Sequence, residues 1–453
     1  MTKATRKEWI GLAVIALPCM LYSMDLTVLN LALPAIRADL APSGVQLLWI
    51  VDVYGFFVAG ALLTMGTLGD RIGRRRLLLI GAALFGAASI LAAFATSAGM
   101  LIAARALLGI AGATVAPSTL SLIRNMFQDP HQRSFAISIW IASYSAGAAI
   151  GPLLGGSLLE FFWWGSVFLL ALPVMALLLA VGPFLLPEYR DTSAGRPDLP
   201  SVLLAISAVL CVIYGLKETA QEGPGGSSLF VLAGLFLGSV FVKRQRRLSD
   251  PLIDLALFRV PAFSVSLALY LLGTFVGFGI FVFMTQYLML VLDLSPLVAG
   301  LWTAPFAIGF VAGSMASPRL ARRFGVRAVM GGGLAIGLVG YAMITQVHRT
   351  DGAWLLSLGM VVQSLGMAPL FTLTNDFIIG SAPPERAGAA SGISETASEL
   401  GGALGIALFG TLATAVYGEA LAPGTVLQSL QLTATICAAL VAGMLFLLRR
   451  VAS

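Results

Sequence analysis

Apolar stretches long enough to cross a lipid bilayer as helices recur along the whole of this 453-residue chain. A hydrocarbon core of about 30 Å needs about 20 apolar residues at 1.5 Å of rise each. Fourteen segments answer that description, at residues 9–33, 45–68, 77–97, 100–123, 134–159, 162–186, 200–216, 227–242, 262–291, 297–318, 326–347, 353–379, 388–416 and 427–448. Charge is correspondingly scarce, at 11% of residues, where a soluble domain carries roughly a quarter. The expected class is an all-α polytopic membrane protein.

The net charge of +6 and pI near 9.4 invite a nucleic-acid reading, but the distribution of charge opposes it. With fourteen crossings and both termini on one side, nearly all Lys and Arg fall on that side. The exceptions are Arg37, Lys217 and Arg349 on the other side and Arg105 inside a segment. Basic residues translocate poorly, so the basic side is cytoplasmic and the high pI reflects topology. One helix more or fewer would invert every later loop and spoil the asymmetry.

Cys19, Cys211 and Cys437 lie in different apolar segments, and the only histidines are His131 and His348. That spacing predicts no disulfide framework, no metal site and no cofactor. The first apolar segment is too long for the core of a secretory signal and lacks a credible cleavage site, so it is expected to be retained.

The stretch LGDRIGRRRLLLIG at 68–81 is repeated in outline as LARRFGVRAVMGGG at 320–333. At an offset of 252 residues Arg71 matches Arg323, Gly73 matches Gly325 and Arg75 matches Arg327. The displacement is eight segments rather than six, which predicts two six-helix bundles, 1–186 and 262–453, separated by a two-helix insert with polar flanks at 187–261. Related bundles meeting at a central cavity are the architecture of alternating-access transporters. The phosphate-binding pattern G-x-x-x-x-G-K-[ST] is absent from the chain, so uphill transport would draw on an ion gradient.

An ionised group at the bilayer centre costs about 2.5–3.5 kcal/mol on insertion scales, so each one is expected to face a cavity or a partner. The candidates are Asp25, Asp52, Arg105, Asp376, Glu395 and Glu399. Counting back from the outer ends of their segments at 1.5 Å per residue puts Asp25, Asp52 and Arg105 at one depth, roughly 9–12 Å in. Arg105 can therefore pair with either acid. Ser391, Glu395 and Glu399 follow at i, i+4, i+8 with Gly402 three further on, a polar and small-residue stripe unsuited to lipid. Two acids one turn apart repel when both are ionised, which suits a proton and cation site. Asp376 sits near a helix end, where it can also reach the interface. Trp49, Tyr54, Trp140, Tyr144, Tyr287 and Trp302 are candidate cavity aromatics that could hold cations on their ring faces.

Together these segments resemble the major facilitator superfamily, and within it the fourteen-span drug:proton antiporters of quaternary-ammonium (Qac) type. GDRIGRRR at 69–76 is similar to the loop signature that latches the two halves on the cytoplasmic side, which implies gating roles for Gly69, Asp70, Arg71, Gly73 and Arg74. IAARALLGIAGA at 102–113 resembles the motif whose Arg, here Arg105, serves proton coupling. SAGAAIGPLLGGSLLE at 145–160 resembles the antiporter signature, with Gly147, Gly151, Pro152, Gly155 and Gly156; small residues four apart let helices approach closely and the Pro permits a bend. MDLTVLNLALP at 24–34 matches the first-span motif, and the acids on spans 1, 2 and 13 match Asp25, Asp52, Glu395 and Glu399. Phe310 stands where some of these exporters place an extra acid used for doubly charged drugs, and the 417–429 loop is shorter than in some relatives.

The resemblance implies fourteen helices arranged six, two and six, and a monomer in the plasma membrane. It also implies export of amphipathic cationic drugs, dyes or biocides in exchange for protons. The alternative is an exporter of the same fold dedicated to one antibiotic or metabolite, neutral ones included. An enzyme would need a nucleophile, metal or base constellation that the scattered His and Cys do not supply.

Overall fold

The computed structural model describes residues 4–190, 198–222, 225–248, 251, 253, 255–294, 296–348, 352–383, 387–417 and 423–448, apart from some side chains within its helices. Every described regular element is helical. They are α1 (Arg6–Leu40), α2 (Gly44–Ile72), α3 (Arg74–Ala93), α4 (Ala98–Gly112), α5 (Val115–Met126), α6 (Pro130–Phe161), α7 (Ser166–Leu169), α8 (Ala171–Leu185), α9 (Leu199–Glu222), α10 (Ser228–Gln245), α11 (Pro261–Gln286), α12 (Pro296–Phe324), α13 (Val326–Thr345), α14 (Gly352–Ser381), α15 (Ala387–Tyr417) and α16 (Pro423–Leu447). Each of the fourteen apolar segments falls on one of these helices or on a consecutive pair. Among the described residues, eleven helical stretches combine the length and hydropathy of a membrane span.

Local chemistry sets the ends and breaks. Thr5 and Glu8 form a capping box at the start of α1, as Ser43 and Gln46 do for α2, satisfying N–H groups that the first turn leaves open. The fourth apolar segment, expected as one helix, is split into α4 and α5. Pro117 has no N–H with which to bond the Ala113 carbonyl, so the ladder breaks there, and Thr114 bonds back to Ala111 instead. The ninth ends in a π turn over Tyr287–Val291, closed by the Leu292 N–H on the Tyr287 carbonyl at 3.2 Å.

Some of the buried hydroxyls are absorbed by the helices that carry them. Thr67, Thr119, Ser138, Thr274, Ser317 and Thr374 each donate to a carbonyl three or four residues back, the cheapest way to carry a hydroxyl through an apolar medium. The outward faces are apolar as well: Leu84, Phe94, Phe161, Phe184, Phe236, Ile308 and Trp354 are exposed. Patches of that kind are adverse in water and suit lipid.

The chain divides into two compact units. One comprises Met1–Leu210, Leu237–Asp254 and Ala382–Thr396; the other comprises Cys211–Phe236, Leu255–Ser381 and Ala397–Ser453. In the first, α1 packs along α6, α2 along α4, and α3 along α8. In the second, α14 packs against α11, α12 and α13, and α16 against α11 and α13. The core of the second unit includes Val276, Met284, Tyr287, Tyr341, Met360, Leu370, Leu430 and Cys437.

The repeated loop has a common geometry. The Gly73 N–H bonds the Gly69 carbonyl at 3.0 Å and the Gly325 N–H bonds the Ala321 carbonyl at 2.9 Å. Gly73 has φ +109° and Gly325 φ +84°, backbone that a side chain disfavours. Both pairs keep the 252-residue offset seen in the sequence.

Candidate functional site

Within the first unit, α1, α2 and α4 converge on Arg105. Its side chain is 1% exposed and its guanidinium lies 2.5 Å from Asp25 Oδ2. Arg105 Nε also donates to the Ile50 carbonyl at 3.2 Å, and Cζ stands 4.7 Å above the centre of the Tyr54 ring. Carboxylate, carbonyl and ring face thus surround one buried cation, which suits a delocalised, weakly hydrated guanidinium better than a lysine. Of the two acids that sequence reasoning left open, Asp25 is paired with Arg105. The side chain of Asp52, on α2, lies outside the described residues. Asp25 also borders a cavity of about 20 Å³ with Leu21, Met24, Phe85 and Phe168 in its wall.

Further aromatic rings extend from Tyr54. Tyr22 lies 6.0 Å from Tyr54 and 5.9 Å from Tyr144, ring centre to ring centre. Of the candidate cavity aromatics, Tyr54 therefore holds the protein's own cation. Trp140 is buried, with Nε1 on Thr119 Oγ1 at 2.9 Å, and Tyr287 is buried with its hydroxyl on the His348 carbonyl. Trp302 packs edge-on to Trp354, and the exposed Trp49 edge-on to Phe56.

The small-residue face of α6 sets the position of α1 beside Asp25. A Cβ on Gly147 would stand 2.1 Å from the Met20 carbonyl oxygen and 2.2 Å from Ser23 Oγ, and one on Gly155 would stand 2.6 Å from Val28. Ser23 Oγ is itself 2.6 Å from the Tyr144 carbonyl, a hydrogen bond from α1 to α6. Gly151 is buried; Gly156 has open space where a Cβ would go. Pro152 lies in the unbroken run of α6, with its side chain outside the described residues.

The α2–α3 loop forms a second polar centre. Asp70 is 2.7 Å from Arg74 NH2 and 2.8 Å from Arg74 Nε. Both its oxygens also accept main-chain bonds from the first turn of α15, Oδ1 from Gly388 N–H at 3.0 Å and Oδ2 from Ala389 N–H at 2.9 Å. A carboxylate there meets open N–H donors and the positive end of the helix dipole. The approach is close because Gly66 and Gly388 face each other; a Cβ on Gly66 would stand 2.3 Å from the Gly388 carbonyl oxygen. Beyond the turn, Glu188 accepts the N–H groups of Arg75 and Arg76, each at 3.2 Å. Gly69 packs near Leu77 and Ser118, and Arg71 is half-buried. At the 252-residue offset Asp70 corresponds to Arg322, so the second loop repeats the turn without the acid.

On α15, Ser391 is fully buried, while Glu395 and Glu399 are half-buried. Ser391 and Glu395 belong to the first unit, where Cys19 lies within electrostatic range of Glu395. Glu399 and Gly402 belong to the second, where Gly402 packs on Phe278. Asp376 is half-buried on α14 beside the fully buried Asn375, whose amide lies 3.3 Å from the Tyr270 hydroxyl. Phe310 stacks with Phe306, ring centres 6.1 Å apart.

Sequence reasoning missed the Ile50 carbonyl and the Gly388 and Ala389 N–H groups. Main-chain partners carry no residue-type signal; only the glycine pair Gly66 and Gly388 hints at close approach.

Comparison with known proteins places these features in context. The model of the Major Facilitator Superfamily matches residues 15–406 and 266–452. The multidrug efflux pump LfrA of Mycolicibacterium smegmatis is 45% identical over 417 residues, covering 92% of this chain and 83% of the relative. The methyl viologen resistance protein SmvA of Salmonella typhimurium is 37% identical over 417 residues, covering 90% of this chain and 82% of the relative. The crystal structure of the human organic anion transporter MFSD10 (TETRAN) matches with a TM-score of 0.73 over 97% of this chain and 99% of its own, at 17% identity, a likeness of fold.

Proposed function

The chain belongs to the major facilitator superfamily, and from that premise we propose that it is a proton-coupled exporter of amphipathic cationic drugs, dyes or quaternary-ammonium biocides. The observation that carries the reading is 45% identity over 92% of the chain to a multidrug efflux pump. The proposed frame is fourteen membrane helices in the order six, two and six, both termini in the cytoplasm, in the plasma membrane. The protein acts as a monomeric transporter and not as an enzyme.

Proton and cation compete for the same negative charge, and that competition is the coupling. A cationic drug entering from the cytoplasm or inner leaflet displaces protons from Glu395, Glu399 or Asp25, with Asp52 and Asp376 as further acids of the pathway. Rocking of the two bundles carries the site outward, where protons reload the carboxylates and release the drug. Asp25 is protonated in the outward-facing state, because it lies nearer the outer end of its helix. Arg105 supports this cycle by neutralising Asp25 whenever the proton is absent. Asp70 and Arg74, on the Gly69–Gly73 turn with Arg71, act as the cytoplasmic latch that must release α15 for inward opening. Gly147, Gly151, Pro152, Gly155 and Gly156 supply the close-packed, bendable face of α6 against which α1 moves.

Uptake of ethidium and of methyl viologen into everted vesicles tests the reading. Transport driven by an imposed pH gradient, and lost in Asp25→Asn and in Glu399→Gln, is the expected outcome. Transport indifferent to the gradient overturns the coupling. Comparing the singly charged dye with the doubly charged viologen reads the consequence of Phe310.

A further inference from the structure

At the start of α3 a groove of about 420 Å³ opens against α8, lined by Arg75, Arg76, Leu79, Ile80, Ala83 and Pro183 among others. Its two ends differ in chemistry. At one end the Arg76 side chain is exposed and has no partner among the described residues. Arg75 beside it is half-exposed, with NH1 on the Pro183 carbonyl at 2.9 Å and on the Leu186 carbonyl at 3.1 Å, and Nε 3.6 Å from Glu188 Oε2. Glu188 already occupies the N–H groups of this helix end, so a further anion would be held by guanidinium groups rather than by main chain. Two arginines against one carboxylate leave the mouth of the groove positive.

The other end is apolar and continues outward. Leu79, Ile80 and Ala83 follow Arg76 at i+3, i+4 and i+7, one stripe of the helix about 10 Å long. Ala83 and Leu84 are exposed, and Ile80 is 43% exposed. A soluble anion would use only the arginines, and a soluble peptide would find a wall suited to lipid. An amphiphile with an anionic head and hydrocarbon chains uses both, and basic pockets between membrane helices at the cytoplasmic end recognise such heads.

We propose that this groove binds one anionic phospholipid, with Arg76 and Arg75 holding its phosphate and Leu79, Ile80 and Ala83 lying along its acyl chains. Guanidinium groups form paired, charge-assisted bonds to phosphate oxygens. The site adjoins the Glu188 clamp on the Gly73 turn, so its occupancy bears on the segment that carries Asp70. The proposal rests on the membrane placement above and not on the identity of the exported drug.

Native mass spectrometry of the full chain tests it, after equilibration with equimolar phosphatidylglycerol and phosphatidylcholine and with no drug or pH gradient present. The wild-type protein is expected to retain phosphatidylglycerol in excess. Arg76→Gln lowers that excess by about tenfold, the worth of one bond to a charged group, and leaves phosphatidylcholine unchanged. Ile80→Glu, at an exposed position, lowers it as well by placing a carboxylate under the head group. Arg327→Gln, at the position of the second loop that matches Arg75, does not. Equal retention of the two lipids by the wild type overturns the proposal, as does an undiminished excess in both Arg76→Gln and Ile80→Glu. Full displacement of phosphatidylglycerol by inorganic phosphate also overturns it, because the groove would then read phosphate without lipid. Efflux is not measured, so failure here is distinct from failure of the antiport reading.

Discussion

Asp25 is the acid of the buried ion pair with Arg105. An acid in an apolar run was legible as a paired or cavity-facing group, because the membrane penalises a bare charge. Its partner was not legible, since two acids shared the depth of Arg105 and helix rotation decides between them. The pair gives a direct prediction. Arg105→Ala removes the guanidinium from Asp25, the Ile50 carbonyl and the Tyr54 ring together, and should cost about 3–5 kcal/mol, the range for breaking a buried pair. Thermal unfolding in detergent reads the loss. The double variant Arg105→Ala, Asp25→Asn should recover part of it, because no unpaired charge then remains. Glycines on α6 give a second contrast. Gly147→Ala drives a methyl into the Met20 carbonyl and Ser23 Oγ and should cost about 1–3 kcal/mol, whereas Gly156→Ala, with open space around it, should melt like the wild type.

At the scale of elements, the two ends of the α9–α10 pair are clasped. Arg244 holds Asp198 through Nε at 2.6 Å and NH2 at 2.8 Å, Ser201 bonds the same carboxylate, and Gln245 bonds Ser201. Hydrogen bonds from Arg244, then Ser201, hold the Asp198 carboxyl well below the usual carboxylate range. A group whose pKa is depressed on folding stabilises the fold above its unfolded value, near about 4, and that contribution fades as pH falls through the folded value. The protection of amides at the start of α9 and the end of α10 from hydrogen exchange, taken relative to the intrinsic rate at each pH, should therefore be high at neutral pH and fall in acid. Asp198→Asn should exchange faster at neutral pH and lose the acid dependence. The polar, proline-bearing flanks of this segment were plain in the sequence; the clasp, 46 residues apart in the chain, was not. Nor was it plain that the fourth apolar segment forms two helices, although Pro117 in a run of small residues supplies the reason.

For the whole molecule, the repeated loop bears on the proposed cycle. Both copies keep the glycine turn, but only the first carries the acid that grips the first turn of α15. Asp70→Asn keeps the size and removes the charge, so the N–H groups of Gly388 and Ala389 lose a carboxylate at a helix N-terminus. The expected result is greater labelling from the cytoplasmic side of a cysteine introduced along α2 or α15, with slower drug efflux. Unchanged labelling would remove the latch from the mechanism.

The sequence by itself determined the class. Helices let so many apolar segments satisfy their main-chain polar groups in lipid. It also determined which residues are too costly to be incidental. Only the tertiary structure decided the pairings: Asp25 on Arg105, the protein's own cation on Tyr54, and the main-chain donors of α15 on Asp70. Those choices depend on how each helix is rotated about its axis and how closely glycines let backbones approach. Residue type reports the demand for a partner, and packing supplies it.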